Sequence, residues 1–112
     1  MITIKKDDLY KHFKGDLYKF ECIAIPKLDP SISEMLLQRM KYIESVRFHE
    51  NTYDIKVFEF MGIYFVEAAI PHVIYYNNEN CLKWARPVDD FFGYKEKDEK
   101  WIKRFTKQEE ES

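Results

Sequence analysis

The stretch that decides the fold is Leu17-Tyr18-Lys19-Phe20-Glu21-Cys22-Ile23-Ala24-Ile25, followed at once by Pro26. Its apolar run is too short and too rich in aromatic and β-branched residues for a helix, so we predict a strand. Pro26 ends that strand, because proline has no backbone N–H to donate to a sheet. The Lys14-Gly15-Asp16 turn before it predicts a partner strand at Leu9–Phe13.

Composition agrees with β-structure. Aromatic residues make up 17% of the 112 residues, and the chain has only three Gly and four Pro, which excludes a disordered protein. The length predicts one domain, residues 1–112. The formal net charge of −2 gives no global basic field for non-specific binding of nucleic acid.

Outward from the first strand, the pattern predicts one helix and several further strands. The helix is expected at Ser31–Ser45, with Ser31 and Glu34 as a capping box, Ser33 as the alternative cap, and an apolar stripe. Strands are expected at 46–48, 53–60, 64–70, 73–76 and 81–85, with a last one at 101–105. The sum is an α+β domain, mostly antiparallel, with one prominent helix.

Two end segments combine aromatic, cationic and turn-forming residues: Tyr10–Gly15 and Trp84–Pro87. Together with Val73-Ile74-Tyr75, Phe91-Phe92 and Arg104-Phe105, they resemble in order the pattern of the DUF1653 family, small bacterial and phage domains of unknown function. The resemblance implies a small SH3-like antiparallel β-barrel formed by residues 9–26 and 73–105. Residues 27–70 would then be an insertion that adds the helix and extra strands.

Five residues are candidates for a ligand site: Tyr10, His12, Lys14, Trp84 and Arg86. Alternation places His12 and Lys14 on one strand face, as a cationic pair beside Tyr10. Trp84 and Arg86 share another strand face, where an aromatic surface and a planar fork of donors suit a phosphorylated or carboxylate ligand. Equally, His12 could cap backbone groups near the turn while Lys14 is solvated. Trp84 could be an edge-of-core residue, with Arg86 in a salt bridge to Asp89 or Asp90. We expect the two faces to converge on one concave surface.

No catalytic machinery is evident. Ser31, Ser33, Ser45, Cys22 and Cys81 lie in no nucleophile motif, and no glycine-rich loop offers an oxyanion hole. The histidines His12, His49 and His72 lack metal-ligand spacing. We therefore expect no catalytic residue, metal or cofactor. The cysteine usage and the lack of a signal peptide or membrane span predict a cytoplasmic protein with reduced thiols.

The function predicted from these features is a non-catalytic binding module for a small anionic or nucleotide-like ligand. Such a protein could sequester a signalling nucleotide, as some phage-type anti-defence proteins do. The alternative is a protein-interaction adaptor or inhibitor that uses the inserted helix and strands, and an RNA-binding barrel comes third. A homo-oligomer is also predicted, because the insertion carries more apolar side chains than one added layer would bury: Tyr53, Ile55, Val57, Phe58, Phe60, Ile63, Tyr64, Phe65 and Val66.

Overall fold

The computed structural model describes residues 4–48 and 53–109, of which 54% lie in strands and 10% in helices. The strands are β1 (Leu9–His12), β2 (Leu17–Pro26), β3 (Lys41–Phe48), β4 (Asp54–Phe60), β5 (Ile63–Val66), β6 (His72–Asn77), β7 (Lys83–Pro87), β8 (Tyr94–Lys97), β9 (Lys100–Lys103) and β10 (Phe105–Lys107). The helices are α1 (Glu34–Arg39) and α2 (Val88–Phe91). Neither of these two helices has the length and apolar character needed to cross a membrane.

Eight strands form one mixed sheet in the order β10-β1-β2-β5-β4-β3-β7-β6. Because β6 also pairs with β2, the six strands from β2 to β6 in this order close into a ring. Two of the ring's pairings, β2 with β5 and β3 with β7, are parallel. The β8–β9 hairpin forms a separate two-stranded sheet.

The ring separates two apolar cores. The inner core takes residues from every strand of the ring: Ala24, Val46, Ile55, Val57, Val66, Ile74 and Ala85. The outer core lies on the other face of β2 and β6, where α2, β1 and β10 cover it: Tyr10, Phe20, Val73, Tyr75, Phe91 and Phe105. On β6 the alternation of side chains sends Ile74 inward and its neighbours Val73 and Tyr75 outward, so one strand serves both cores.

An ion network joins three strands of the ring. The Nζ of Lys83 on β7 lies 2.9 Å from Oε1 of Glu21 on β2 and 2.8 Å from Oε2 of Glu44 on β3. All three side chains are partly buried. Lys83 lies two positions before Ala85 on β7, and Glu44 lies two positions before Val46 on β3, so each shares a strand face with an inner-core residue. The network therefore extends the inner face of the ring with paired charges.

The expected fold, an α+β SH3-like antiparallel barrel with one inserted helix and extra strands, is wrong. Segment 27–70 supplies β3, β4 and β5, which pair with β2 on one side and with β7 on the other. These strands are therefore part of the main sheet, and long-range parallel pairings replace the all-antiparallel barrel. The division of the chain into a core and an insertion stays a prediction.

The expected helix at Ser31–Ser45 is also wrong, since α1 has only six residues. Ser33, the alternative cap, accepts a hydrogen bond at Oγ from the backbone N–H of Leu36 (3.2 Å). Met40 then leaves the helix with an extended conformation (φ −72°, ψ 140°), and β3 follows. The predicted apolar stripe is not a packed face, because α1 buries no residue and Met35 is 64% exposed.

Strand predictions fare better. The predicted strand at 17–25 lies within β2, and the predicted strand at 73–76 lies within β6. The expected hairpin strand at 81–85 begins two residues late, because Cys81 adopts a left-handed conformation (φ 60°) that belongs to the turn. The single last strand expected at 101–105 is divided into β9 and β10, with Arg104 between them.

Candidate functional site

Five neighbouring strands, β10-β1-β2-β6-β7, bring the two end segments of the chain together. Register places His12 opposite Phe105 and Tyr75 opposite Trp84, so side chains from both ends of the sequence meet over the outer core. A cavity of about 240 Å³ opens there. Its lining residues are His12, Lys14, Asp16, Tyr18, Tyr75, Trp84, Arg86 and Phe105.

Four of the five residues predicted from the sequence line this cavity: His12, Lys14, Trp84 and Arg86. Tyr10 is placed elsewhere. It is only 4% exposed, and its ring packs edge-on against Phe91 (5.2 Å between centroids) and Phe92 (6.3 Å). Tyr10 alternates onto the same face as His12, but α2 covers it, so it is a residue of the outer core.

Arg86 is the buried cation of the cavity, with 9% of its surface exposed. Its Nε donates to the Oη of Tyr75 (3.3 Å), and its guanidinium lies 5.4 Å from the centroid of the Phe105 ring. Within residues 4–48 and 53–109, no carboxylate forms a salt bridge with Arg86. Burial raises the pKa of Tyr75, so its phenol stays protonated. The sequence did not point to Tyr75, the residue that orients the guanidinium.

His12 is a neutral residue at physiological pH rather than half of a cationic pair. Its Nδ1 accepts a hydrogen bond from the backbone N–H of Lys14 (3.2 Å), which leaves the proton of the neutral ring on Nε2. Burial and then the charge of Arg86 lower its pKa to about 4. Lys14 lies in the turn after β1 rather than on the strand, so the predicted shared strand face is wrong.

Four aromatic side chains from Tyr, Trp and Phe residues line the cavity, and three of them pack against one another. Tyr18, Tyr75 and Phe105 pack against one another edge-to-face, with centroids 5.3 to 5.9 Å apart, and His12 packs on Phe105 at 4.9 Å. Among the residues described, Trp84 takes part in no ring–ring pair, and the Arg47 guanidinium is 5.9 Å from its ring. Trp84 is half-buried, packs against the outer core as an edge residue, and is one of the residues that line the cavity.

A second cavity of about 210 Å³ adjoins the first and shares His12, Lys14 and Arg86 with it. Its other lining residues are Phe13, Asp90, Lys95 and Arg104. The Phe13 ring lies 5.0 Å from Nζ of Lys95 and 5.9 Å from Nζ of Lys97, both on β8. Sequence reasoning missed this cavity, because residues 94–100 are nearly all charged and have the composition of a solvated loop. The alternation of Lys95 and Lys97 was the available signal for one cationic strand face.

The two cysteines are not among the residues that line either cavity. Cys22 lies in the inner core, where burial raises its pKa to about 12 and keeps it a thiol. Cys22 and Cys81 are both free. In the part of the chain that is described, no three His, Cys, Asp or Glu residues form a cluster suited to a metal ion, and His49 lies outside that part.

Comparison with known proteins adds no relative, since no family model, curated protein or solved structure matches the chain. Similarity to DUF1653 therefore stays a prediction. The function has to be argued from the geometry of the two cavities.

Proposed function

We propose that this protein is a non-catalytic binding module for a small anionic or nucleotide-like ligand, held where the two cavities meet. One observation carries the proposal. Arg86 is nine-tenths buried, and its only hydrogen bond in the described chain is the one to the Tyr75 phenol. Burying a charge without a counter-charge is costly, and an anion bound in the cavity would supply that counter-charge.

The charge around Arg86 supports the same conclusion. Lys14, Lys95 and Arg104 line the cavities with it, against the carboxylates of Asp16 and Asp90. This local excess of positive charge stands within a chain whose net charge is −2. A cationic concavity in an otherwise acidic protein attracts small anions more than it attracts long polyanions such as RNA.

We infer that the site sequesters its ligand. This activity would make the chain a phage-type anti-defence protein that removes a signalling nucleotide from solution. His12 is neutral and caps the turn after β1, so the positive charge of the cavity comes from its lysines and arginines. A cytoplasmic location is part of this proposal. Two free thiols are typical of proteins from reducing compartments.

The test replaces Arg86 with Met and measures binding of inorganic phosphate and nucleotides by calorimetry. We expect a loss of about tenfold to a hundredfold in affinity, the range for losing a hydrogen bond to a charged group. Arg39→Met is the matched control, because Arg39 is an exposed arginine at the end of α1. If Arg86→Met does not fold, Lys14→Met serves instead, since Lys14 is exposed in a turn. Failure of the wild-type protein to bind any small phosphate compound would contradict the proposal.

A second candidate function, protein–protein contact through segment 27–70, is favoured by one observation. This segment exposes large apolar side chains: Leu28 (57%), Met35 (64%), Tyr42 (54%), Met61 (81%) and Ile63 (48%). Such side chains are typical of an adaptor surface or of a contact between copies of the chain. Other apolar residues first assigned to that contact, Ile55, Val57, Phe65 and Val66, are buried within the chain itself. Light scattering that gives a mass near the chain's 13.7 kDa at both micromolar and millimolar concentrations would contradict self-association.

A further inference from the structure

We infer that the ligand is a phosphate monoester carrying one planar ring, with the phosphate in the second cavity and the ring against Trp84. This inference rests on the proposed function and narrows its ligand class. It starts from the different chemistry of the two cavities, which share a wall formed by His12, Lys14 and Arg86.

The second cavity has the composition of a phosphate site. Arg86, Arg104, Lys14 and Lys95 face one carboxylate, that of Asp90. The Nε of Arg104 is buried and has no hydrogen-bond partner in the described chain, so this N–H lacks an acceptor. A phosphate monoester carries up to two negative charges and has several acceptor oxygens, and arginine forks bind it with paired hydrogen bonds.

The first cavity has the composition of a site for a flat ring. Tyr18, Tyr75 and Phe105 pack edge-to-face with one another, whereas Trp84 packs against the outer core and lines the cavity without a ring–ring pair among the described residues. Stacking of a base on an aromatic side chain depends little on which base is present. We therefore expect weak discrimination between ring types and strong dependence on the presence of a ring.

The size of the cavities limits the ligand to one ring and one phosphate group. The volumes, about 240 and 210 Å³, are each below the roughly 300–1,000 Å³ of a typical small-molecule pocket. Only a ligand that spans both cavities fills a site of ordinary size. Arg86 belongs to both cavities, so its guanidinium lies at the junction between the ring and the phosphate.

The test measures affinity of the wild-type chain for five probes by calorimetry: AMP, UMP, adenosine, uridine and inorganic phosphate. Each monophosphate should bind at least about tenfold more tightly than its nucleoside or phosphate alone, since two subsites contribute. AMP and UMP should differ by less than about threefold, because stacking tolerates different bases.

Two variants separate the subsites. Arg104→Gln should weaken AMP and inorganic phosphate by the same factor, about tenfold, and leave adenosine unchanged. Trp84→Leu should weaken AMP and adenosine by about tenfold and leave phosphate unchanged. Lys97→Met is the matched control. Lys97 lies near the Phe13 ring from β8, as Lys95 does, but it is not among the residues that line the cavity. This substitution should change each affinity by less than about twofold.

Melting curves establish that each variant is folded before its affinity is measured. Should Trp84→Leu not fold, Trp84→Phe keeps a ring in the outer core and is expected to show a smaller loss, about threefold, for AMP and adenosine only. If phosphate binds but AMP binds no more tightly, or if Arg104→Gln and Trp84→Leu weaken all probes equally, this inference is overturned and the proposed function stands. If neither phosphate nor a monophosphate binds, the proposed function itself is wrong.

Discussion

Replacing His12 with Asn should change how the stability of the protein depends on pH. In the folded protein, burial and the charge of Arg86 lower the pKa of His12 from 6.5 to about 4. Between these values the unfolded chain binds a proton at this residue and the folded chain does not. Stability from His12 is therefore fully present above pH 6.5 and is lost as the pH falls towards 4.

The magnitude follows from the same two pKa values. At pH 5 the shift from 6.5 to about 4 corresponds to a loss of about 2 kcal/mol relative to pH 7. The imidazole is partly exposed, so solvent screening reduces this to about 1 kcal/mol. Asn cannot titrate, and its Oδ1 can accept the hydrogen bond from Lys14 that Nδ1 accepts in the wild type.

The assay is urea unfolding of wild type and His12→Asn at pH 7 and pH 5, in buffers without phosphate so that no anion occupies the site. At pH 7 the variant should be less stable by about 1–2 kcal/mol, because ring contacts with Phe13 and Phe105 are lost. At pH 5 the gap should narrow by about 1 kcal/mol. His72, whose pKa is also lowered by burial, is present in both proteins and cancels in the difference. A gap that is equal at both pH values would refute the argument.

Two further changes test the fold. Lys83→Met removes the cation between two partly buried glutamates and should lower the free energy of unfolding in urea by about 1–2 kcal/mol, between the ranges for exposed and buried ion pairs. Replacing both glutamates with Gln in the Lys83→Met chain should recover most of that loss. If Lys83→Met alone is as stable as the wild type, the network is dispensable for folding. Gly93→Ala should lower the free energy of unfolding by about 1–3 kcal/mol, because a Cβ there would collide with the backbone carbonyl oxygen of Asp89. Thermal unfolding measures this loss, and an unchanged melting temperature would mean that the turn after α2 adjusts freely.

Sequence reasoning located the strands better than the way they pair. The strand nature of 17–25 and 73–76 follows from the alternation and type of nearby residues, which are local properties. Residues 41–45 misled it, because Met40 and Ile43 continue the helical spacing of Met35 and Leu36 and fit one face of a helix as well as they fit an extended chain. Pairing of β3 with β4 and β7 decided the matter, since a strand there gains two neighbours and buries Val46.

In the candidate site, too, the sequence predicts some features and only the tertiary structure decides others. His12, Lys14, Trp84 and Arg86 could be singled out from the sequence because aromatic and cationic residues are concentrated next to predicted turns. Tyr10 looked equivalent, but only the position of α2 decides that it is covered. Lys95 on β8 and Arg104, between β9 and β10, line the second cavity, and no short window of sequence predicts that they lie beside His12 and Arg86.

The sequence alone therefore determined the β-rich character of this protein and the chemistry available to a site, since residue type and alternation are local. Only the tertiary structure decided that the sheet closes through parallel pairings between distant segments. It also decided the charge state of His12 and the burial of Arg86, because both depend on groups brought together from opposite ends of the chain. Long-range pairing and desolvation arise from the whole arrangement, and neither is encoded in any short window of residues.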